Sequence, residues 1–260
     1  MLSTRGTVRA VAALSMALFA TGARLYAAEL HVAVAANFSG PLNQLAPPYE
    51  RSSGNRLVIS AGSSGQLYTQ IKEGAPFDVF LSADTDKPQR LENEGLAIPG
   101  SRFVYAIGSL VLWSPQAGVV DAEGKVLDGG HYRFIAIANP QSAPYGTAAQ
   151  QVLTARNLWD KLNQDKKIVI GENITQTWQF AVTGNADMAF VALSQVIDGR
   201  GAIGGSSWLV PQNLYARIEQ SAVSLAHGAQ PATAQAFLRW LRTDAGALAT
   251  VHAAGYRTPD

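Results

Sequence analysis

The chain has 260 residues, of which 47% are apolar and 15% are charged, so it can form the core of one large domain or of two smaller lobes. The formal net charge at pH 7 is +1 and cysteine is absent, which excludes disulfide bridges, thiolate metal sites and a lipid-modified N-terminal cysteine. These values are typical of a globular protein and not of a disordered one.

The N-terminal segment has the layout of a secretory signal peptide. Arg5 and Arg9 precede an apolar run over residues 10–20, and small residues follow up to Ala28. The run is too short to cross a membrane, so the pattern predicts a cleavable signal over 1–28 and export as a free periplasmic or secreted protein without a membrane anchor. Cleavage would leave 17 basic against 19 acidic residues. Because the mature chain is slightly acidic, we expect no nucleic-acid partner.

Strands and helices alternate in the first part of the mature chain. The predicted order is a strand over Glu29–Ala36, a helix over Pro41–Ser53, a strand over Arg56–Ala61, a helix that opens at Gly62–Gly65, a buried strand after Asp78 and a helix over Thr85–Gly95. Pro47 and Pro48 should break or kink the first helix, because proline has no N–H to donate. The alternation predicts the α/β class, with a parallel sheet covered by helices on both faces.

The second part of the chain continues the α/β pattern. Strands are predicted over Leu110–Trp113, Arg133–Ala138, Lys167–Gly171, Asp187–Ala192 and Arg217–Ala226. Helices are predicted over Thr147–Leu158, Ile174–Thr183 and Pro231–Thr243, and a loop over 116–131. No internal repeat interrupts this order.

Four of the predicted strands end in turns that open a helix. These turns are Ala36–Asn37, Gly62–Ser64, Pro144–Tyr145 and Glu172–Ile174. In open α/β sheets the ligand lies outside the carboxyl ends of the strands, and the first amides of a helix favour an anion. Taken alone, the serines of the second turn indicate only an ordinary helix N-cap. Four turns from both halves of the chain predict two lobes that face each other across a cleft.

An enzymatic role has little support in these residues. Ser64 as a nucleophile would require a base, and the G-x-S-x-G spacing of a hydrolase is absent. The histidines are His31, His131, His227 and His252, and none lies in a recognisable catalytic motif. For Asp78 and Asp84 we expect structural roles, the latter as a helix cap or a partner of a backbone amide. A secreted serine hydrolase that uses Ser64 is the alternative from this class.

A binding role uses the same turns without catalysis. They supply the side-chain amide of Asn37, the hydroxyl of Ser64 and the backbone N–H groups of Tyr145 and Ile174, and they contain no lysine or arginine. A pocket of donors without an acceptor favours a fully deprotonated dianion over hydrogen phosphate, whose proton needs a carboxylate. We therefore expect an oxyanion as the ligand.

Six segments spread over the mature chain carry a resemblance to a known family. They are VAVAANF (Val32–Phe38), GSSGQL (Gly62–Leu67), IKEGAPFDVFLSAD (Ile71–Asp84), IANPQSAPYGTAAQQVL (Ile137–Leu153), GENITQT (Gly171–Thr177) and GNADMAFVALSQV (Gly184–Val196). Through them the chain resembles the periplasmic molybdate-binding proteins of ABC transporters, which are type II periplasmic solute-binding proteins.

The resemblance implies a fold of two hinged lobes, each a mostly parallel sheet flanked by helices. Lobe 1 would comprise 29–108 and 222–260, and lobe 2 would comprise 109–221. It also implies a monomeric receptor without enzymatic activity or cofactor, which closes on molybdate or tungstate and delivers it to a membrane permease. A receptor for another oxyanion, such as sulfate, is the alternative within this class.

The oxyanion-contacting positions of the family fall on Asn37, Ser64, Tyr145 and Ile174, the last two through backbone N–H groups. Some members have serine in place of Asn37, and asparagine is also a donor. Some members have a ligand-binding tyrosine where this chain has Ala192. The resemblance thus implies the loss of one hydroxyl contact, for which the phenol of Tyr145 is a candidate replacement.

Overall fold

The protein is described by a computed structural model over residues 28–259, and residues 1–27 of the predicted signal peptide lie outside these described residues. The strands are β1 (Glu29–Ala35), β2 (Arg56–Gly62), β3 (Val79–Leu81), β4 (Phe103–Gly108), β5 (Leu110–Ser114), β6 (Ile135–Ala138), β7 (Ile168–Gly171), β8 (Met188–Ala192), β9 (Ser206–Leu209) and β10 (Ile218–Ser224). The helices are α1 (Ser39–Ser53), α2 (Ser64–Lys72), α3 (Asp86–Asn93), α4 (Val126–Gly129), α5 (Pro144–Ala155), α6 (Trp159–Gln164), α7 (Ile174–Val182), α8 (Pro231–Thr243) and α9 (Ala245–Ala253). A 3-10 turn, Ala36–Phe38, joins β1 to α1.

The strands form two five-stranded sheets with the same pattern of directions. The order is β2-β1-β3-β10-β4 in the first sheet and β7-β6-β8-β5-β9 in the second. In each sheet the fourth strand, β10 or β5, is antiparallel to both of its neighbours, and the strands before it are parallel. The predicted architecture of two lobes, each with a mostly parallel sheet, is confirmed.

The chain passes between the two sheets twice. Only Ser109 separates β4 in the first sheet from β5 in the second, and residues 210–217 return the chain from β9 to β10. The whole of β10 pairs within the first sheet. The lobe limits 29–108 with 222–260, and 109–221, stay a prediction.

Helices cover both faces of the first sheet, which explains why β1 is almost entirely apolar. Leu30, Val32 and Val34 pack in a cluster with residues of α1, α8 and α9. Ala33 points to the opposite face and packs with residues of α2 and α3. Alternate residues of a strand point to opposite faces of its sheet, so a strand covered on both sides needs apolar residues at every position.

The helix break predicted at Pro47 and Pro48 is absent, because α1 runs through both prolines, and a kink there stays a prediction. Proline at these positions leaves the carbonyl groups of Asn43 and Gln44 without their helical donors. Both of these residues are exposed, so water can hydrate the freed carbonyls. Gly54 ends the helix, with a φ of 73° that favours glycine.

Candidate functional site

Four helical N-termini converge on one small cavity between the lobes. The free space at the cavity, including its opening to solvent, is about 200 Å³. Its lining residues are Ala35, Ala36, Asn37, Gly62, Ser63, Ser64, Ala83, Ala143, Pro144, Tyr145, Asn173 and Ile174. The structure therefore brings together all four predicted site residues. Asn37 and Ser64 follow strands of the first sheet, and Tyr145 and Ile174 follow strands of the second.

Each predicted site residue lies in the first turn of a helix. Ser64 and Ile174 are the first residues of α2 and α7, Tyr145 is the second residue of α5, and Asn37 is the second residue of the 3-10 turn. The N–H groups at these positions have no acceptor within their own helix, and they carry the positive end of its dipole. The four N–H groups can therefore donate to a common anion in the cavity.

Two adjacent serines at the start of α2 have separate roles. Ser63 is the N-cap, since its hydroxyl oxygen accepts a hydrogen bond from the N–H of Gln66 at 3.3 Å and the Gln66 side chain accepts from the N–H of Ser63. The Ser64 hydroxyl oxygen instead accepts from the N–H of Ala83 at 3.0 Å. A hydroxyl that accepts one hydrogen bond keeps its own proton for donation. Ser64, which is 1% exposed, thus presents both an N–H and an O–H at the cavity.

The side-chain amide of Asn37 is already used within the protein. Its nitrogen donates to Oε1 of Gln220 at 2.8 Å and to the hydroxyl oxygen of Tyr256 at 2.8 Å. Because an amide NH₂ group has two hydrogens, these bonds take both of them. The side-chain donor expected at Asn37 is therefore committed to the protein interior, and the backbone N–H is left for the cavity.

The phenol of Tyr145 lies against the strands that connect the lobes. Its oxygen accepts from Nε2 of Gln220 at 3.4 Å, and a Cβ added to Gly108, at the end of β4, would lie 2.0 Å from that oxygen. Burial, and then the nearby Tyr256, raise the pKa of Tyr145 well above its ordinary value of 10. The phenol is therefore neutral and lies at the hinge, and its replacement of a ligand hydroxyl at Ala192 stays a prediction.

Ala192 ends β8, and the loop after it supports the N-terminus of α7. The N–H of Ala192 donates to Oε1 of Gln195 at 3.0 Å, and Nε2 of Gln195 donates to the carbonyl oxygen of Ile174 at 3.2 Å. Asn173 caps the same helix by accepting from the N–H groups of Thr175 and Gln176. These contacts fix the direction of the Ile174 N–H.

Sequence reasoning missed Gln220 and Gln195, which hold the site residues in place. Gln220 is fully buried in β10, where it contacts Asn37, Tyr105 and Tyr145. The sequence signal for Gln220 was its side-chain amide in a strand that is otherwise suited to burial. A buried polar group requires hydrogen-bond partners, so such an amide indicates a polar cluster.

The cavity is uncharged. Among its lining residues there is no Asp, Glu, Lys, Arg or His, and within residues 28–259 no group of three His, Asp or Glu residues could hold a metal ion. The hydrogen bond of the Ser64 hydroxyl is to a backbone N–H, so no base activates it as a nucleophile. The arrangement suits the binding of an anion by neutral donors.

Asp78 and Asp84 have the structural roles that the sequence predicts. Asp78 accepts from the N–H groups of His31 and Gln230, each at 2.8 Å. Asp84 accepts from the N–H of Lys87 at 3.0 Å at the start of α3, and its second oxygen lies 2.6 Å from Nζ of the same lysine.

No helix within residues 28–259 is both long and apolar enough to span a membrane.

Comparison with known proteins places the chain in a family. Residues 30–257 match the family described as bacterial extracellular solute-binding protein. The molybdate-binding protein ModA of Azotobacter vinelandii is 47% identical over 234 residues, which cover 90% of this chain and 91% of that protein. ModA of Rhodobacter capsulatus is 47% identical over 232 residues, with 89% of each chain covered.

A solved structure supports the same placement. The periplasmic molybdate-binding protein of Azotobacter vinelandii superposes with a TM-score of 0.87 at 48% identity, and the match covers 89% of this chain and 100% of that one. The relatives are named as binding proteins, which agrees with a site that has donors and no catalytic group. The chain belongs to the family of bacterial extracellular solute-binding proteins and, within it, is a close relative of the ModA proteins.

Proposed function

We propose that the protein is a periplasmic receptor that captures molybdate, and also tungstate, and delivers it to the permease of an ABC transporter. One observation carries this proposal. Four helical N-termini from two lobes surround a small uncharged cavity, in a chain that is 47% identical to two molybdate-binding proteins over about nine-tenths of its length. The predicted signal sequence is consistent with a periplasmic location.

Neutral donors can hold a dianion in such a cavity. The transfer of an anion from water is costly unless hydrogen bonds replace its hydration, and bonds to a charged group are stronger than bonds between neutral groups. The N–H groups of Asn37, Ser64, Tyr145 and Ile174 and the Ser64 hydroxyl supply five donors. Those on α2, α5 and α7 are aided by a helix dipole. No carboxylate lines the cavity to accept a proton, so a fully deprotonated oxyanion is preferred over hydrogen phosphate.

The division of the donors between lobes explains how capture and release can be linked. Asn37 and Ser64 follow strands of the first sheet, and Tyr145 and Ile174 follow strands of the second. A molecule opened at the two crossings of the chain would have half of the donors on each side. Closure completes the site, and a permease that reopens the lobes would release the ligand. One chain supplies every donor, so we expect the receptor to work as a monomer.

Calorimetric titration of the mature protein with molybdate, tungstate, sulfate and phosphate tests this function. We expect molybdate and tungstate to bind tightly, sulfate to bind more weakly and phosphate to bind least. Sulfate binding as tight as that of molybdate would instead support a general receptor for oxyanions. Hydrolysis of simple esters by the unaltered protein, lost in Ser64→Ala, would favour the hydrolase; we expect no turnover.

A further inference from the structure

The two lobes touch beside the cavity at Gly65 and Ser142. Gly65 is the second residue of α2, and Ser142 lies in the loop between β6 and α5. The N–H of Gly65 donates to the carbonyl oxygen of Ser142 at 2.8 Å. Ser64 precedes one partner, and Tyr145 follows the other by three residues. The separation of Gly65 and Ser142 therefore controls the distance between the donors of α2 and α5.

The absence of a side chain at residue 65 is required by the opposite lobe. Gly65 is not among the glycines with positive φ, so its backbone conformation is open to any residue. Within a helix, glycine is less favourable than alanine. A Cβ at this position would, however, lie 2.9 Å from Cα of Ser142 and 3.0 Å from its carbonyl oxygen. Such distances are too short for carbon atoms in contact, which approach to about 3.5–4.0 Å.

We propose that Gly65 determines closure of the receptor and thereby its affinity for the oxyanion. Because Gly65 has no side chain, the lobes can approach until the donors of both lobes contact one ligand. The N–H of Gly65 then stabilises the closed form by its hydrogen bond to the carbonyl oxygen of Ser142. Any side chain at residue 65 holds the lobes apart and leaves the ligand with the donors of one side. This inference rests on the proposed function, because it assigns a residue that acts in the same binding event.

The test is Gly65→Ala, compared with Gly40→Ala. Gly40 is the second residue of α1, and a Cβ there would have nothing within 4 Å, so it is a matched control in an equivalent helix position. We expect Gly65→Ala to weaken molybdate binding about 10-fold or more, through faster dissociation, which corresponds to about 1.4 kcal/mol. The melting temperature of the unliganded variant should stay the same or rise, because alanine favours the helix. Gly40→Ala should bind as the unaltered protein does.

Two results in this comparison would overturn the inference. One is unchanged affinity and dissociation rate in Gly65→Ala. The other is a fall in the melting temperature of unliganded Gly65→Ala that accounts for the weaker binding, since glycine would then serve the fold of one lobe and not the contact between lobes.

A second measurement separates this inference from the proposed function. The chain has no cysteine, so the double variant Gly65→Cys with Ser142→Cys carries the only two thiols. The two Cβ atoms would lie 3.0 Å apart, and disulfides have Cβ atoms about 3.5–4.5 Å apart, so a small opening of the lobes allows the bridge. We expect oxidation to link the pair without any ligand, and the pair Gly40→Cys with Ser142→Cys to stay reduced. A Gly65–Ser142 pair that fails to link would refute closure at this point even if molybdate binds. A linked pair, together with an unaltered protein that binds no oxyanion, would refute the function alone.

Discussion

Ser64 and Asn37 occupy similar positions at the starts of two helical turns, yet their side chains make different hydrogen bonds. The Ser64 hydroxyl accepts one bond from Ala83 and keeps a proton for the cavity. The Asn37 amide donates both of its hydrogens within the protein, to Gln220 and to Tyr256. The sequence predicts a place in the site for both residues, because each follows a buried strand. It could not predict the partners of Asn37, because they lie 183 and 219 residues away along the chain.

Replacement of Ser64 by alanine should weaken binding while the lobes still close. The change removes one hydrogen bond to a charged ligand, so we expect a loss of about 1.5–3 kcal/mol, or about 10- to 150-fold in affinity. Calorimetry with molybdate measures it. Ser52→Ala serves as the control, since the Ser52 hydroxyl donates to the carbonyl of Tyr49 within α1. Unaltered affinity in Ser64→Ala would show that the anion lies elsewhere.

At the scale of elements, α1 shows how tertiary packing can keep a segment helical although its prolines predict a break. Leu42, Leu45 and Tyr49 are buried on one side of the helix, and the ring of Tyr49 lies 4.9 Å from that of Phe237 in α8. Pro47 lies on the exposed side, where the loss of a helical hydrogen bond is compensated by water. Packing of the apolar side thus holds a helix that the prolines alone would interrupt.

Replacement of Pro47 by alanine should stabilise the protein. Alanine restores an N–H to the helix interior, where proline is less favourable by up to about 3 kcal/mol. Denaturant unfolding should therefore show a higher free energy of unfolding than for the unaltered chain. Pro231→Ala is the matched control, because Pro231 is the first residue of α8, where an N–H has no helical acceptor, and little change is expected there. Equal or lower stability in Pro47→Ala would mean that the prolines act mainly by restricting the unfolded chain.

The elements that carry the site were predictable, and several peripheral ones were not. Long apolar runs followed by small residues marked β1, β2, β6 and β7, whose ends form the cavity. The strand β9 has only four residues, so its local sequence pattern is weak. Its pairing with β5, a strand distant in the sequence, is what makes this segment a strand. One residue, Asp244, separates α8 from α9. Its carboxylate accepts from the N–H of Ala247 at 2.9 Å, and this N-cap was the sequence signal for α9. Elements β4, α4 and α6 were likewise not predicted.

At the scale of the whole molecule, a buried polar cluster joins the lobes behind the cavity. Its members are Asn37, Tyr105, Tyr145, Gln220 and Tyr256. Burial raises the pKa of all three tyrosines above 10, and those of Tyr105 and Tyr145 by a wide margin. The neutral phenols are thus favoured in the folded state, so their contribution to stability is present below pH 10 and is lost as the pH rises through the folded pKa values.

This cluster predicts how the receptor responds to pH. Tyr145 is the only titratable residue that lines the cavity in the described part of the chain, so molybdate affinity should be constant from about pH 6 to pH 9. Above about pH 10 the melting temperature should fall as the buried phenols ionise on unfolding. Calorimetry and thermal melts across this range provide both measurements. Tyr105→Phe removes one of the groups and should make the alkaline fall shallower; a steep change of affinity near pH 7 would contradict the assignment.

The two crossings of the chain between the sheets, at Ser109 and at residues 210–217, have a consequence for how opening can be observed. Two points of attachment define a line, and a body attached at both keeps one free rotation, about that line. Twisting and sliding of one lobe on the other would strain one crossing or the other. We therefore expect opening to be mainly a rotation about this line. One pair of spectroscopic labels, with one label on each sheet, would be enough to follow the full cycle of capture and release.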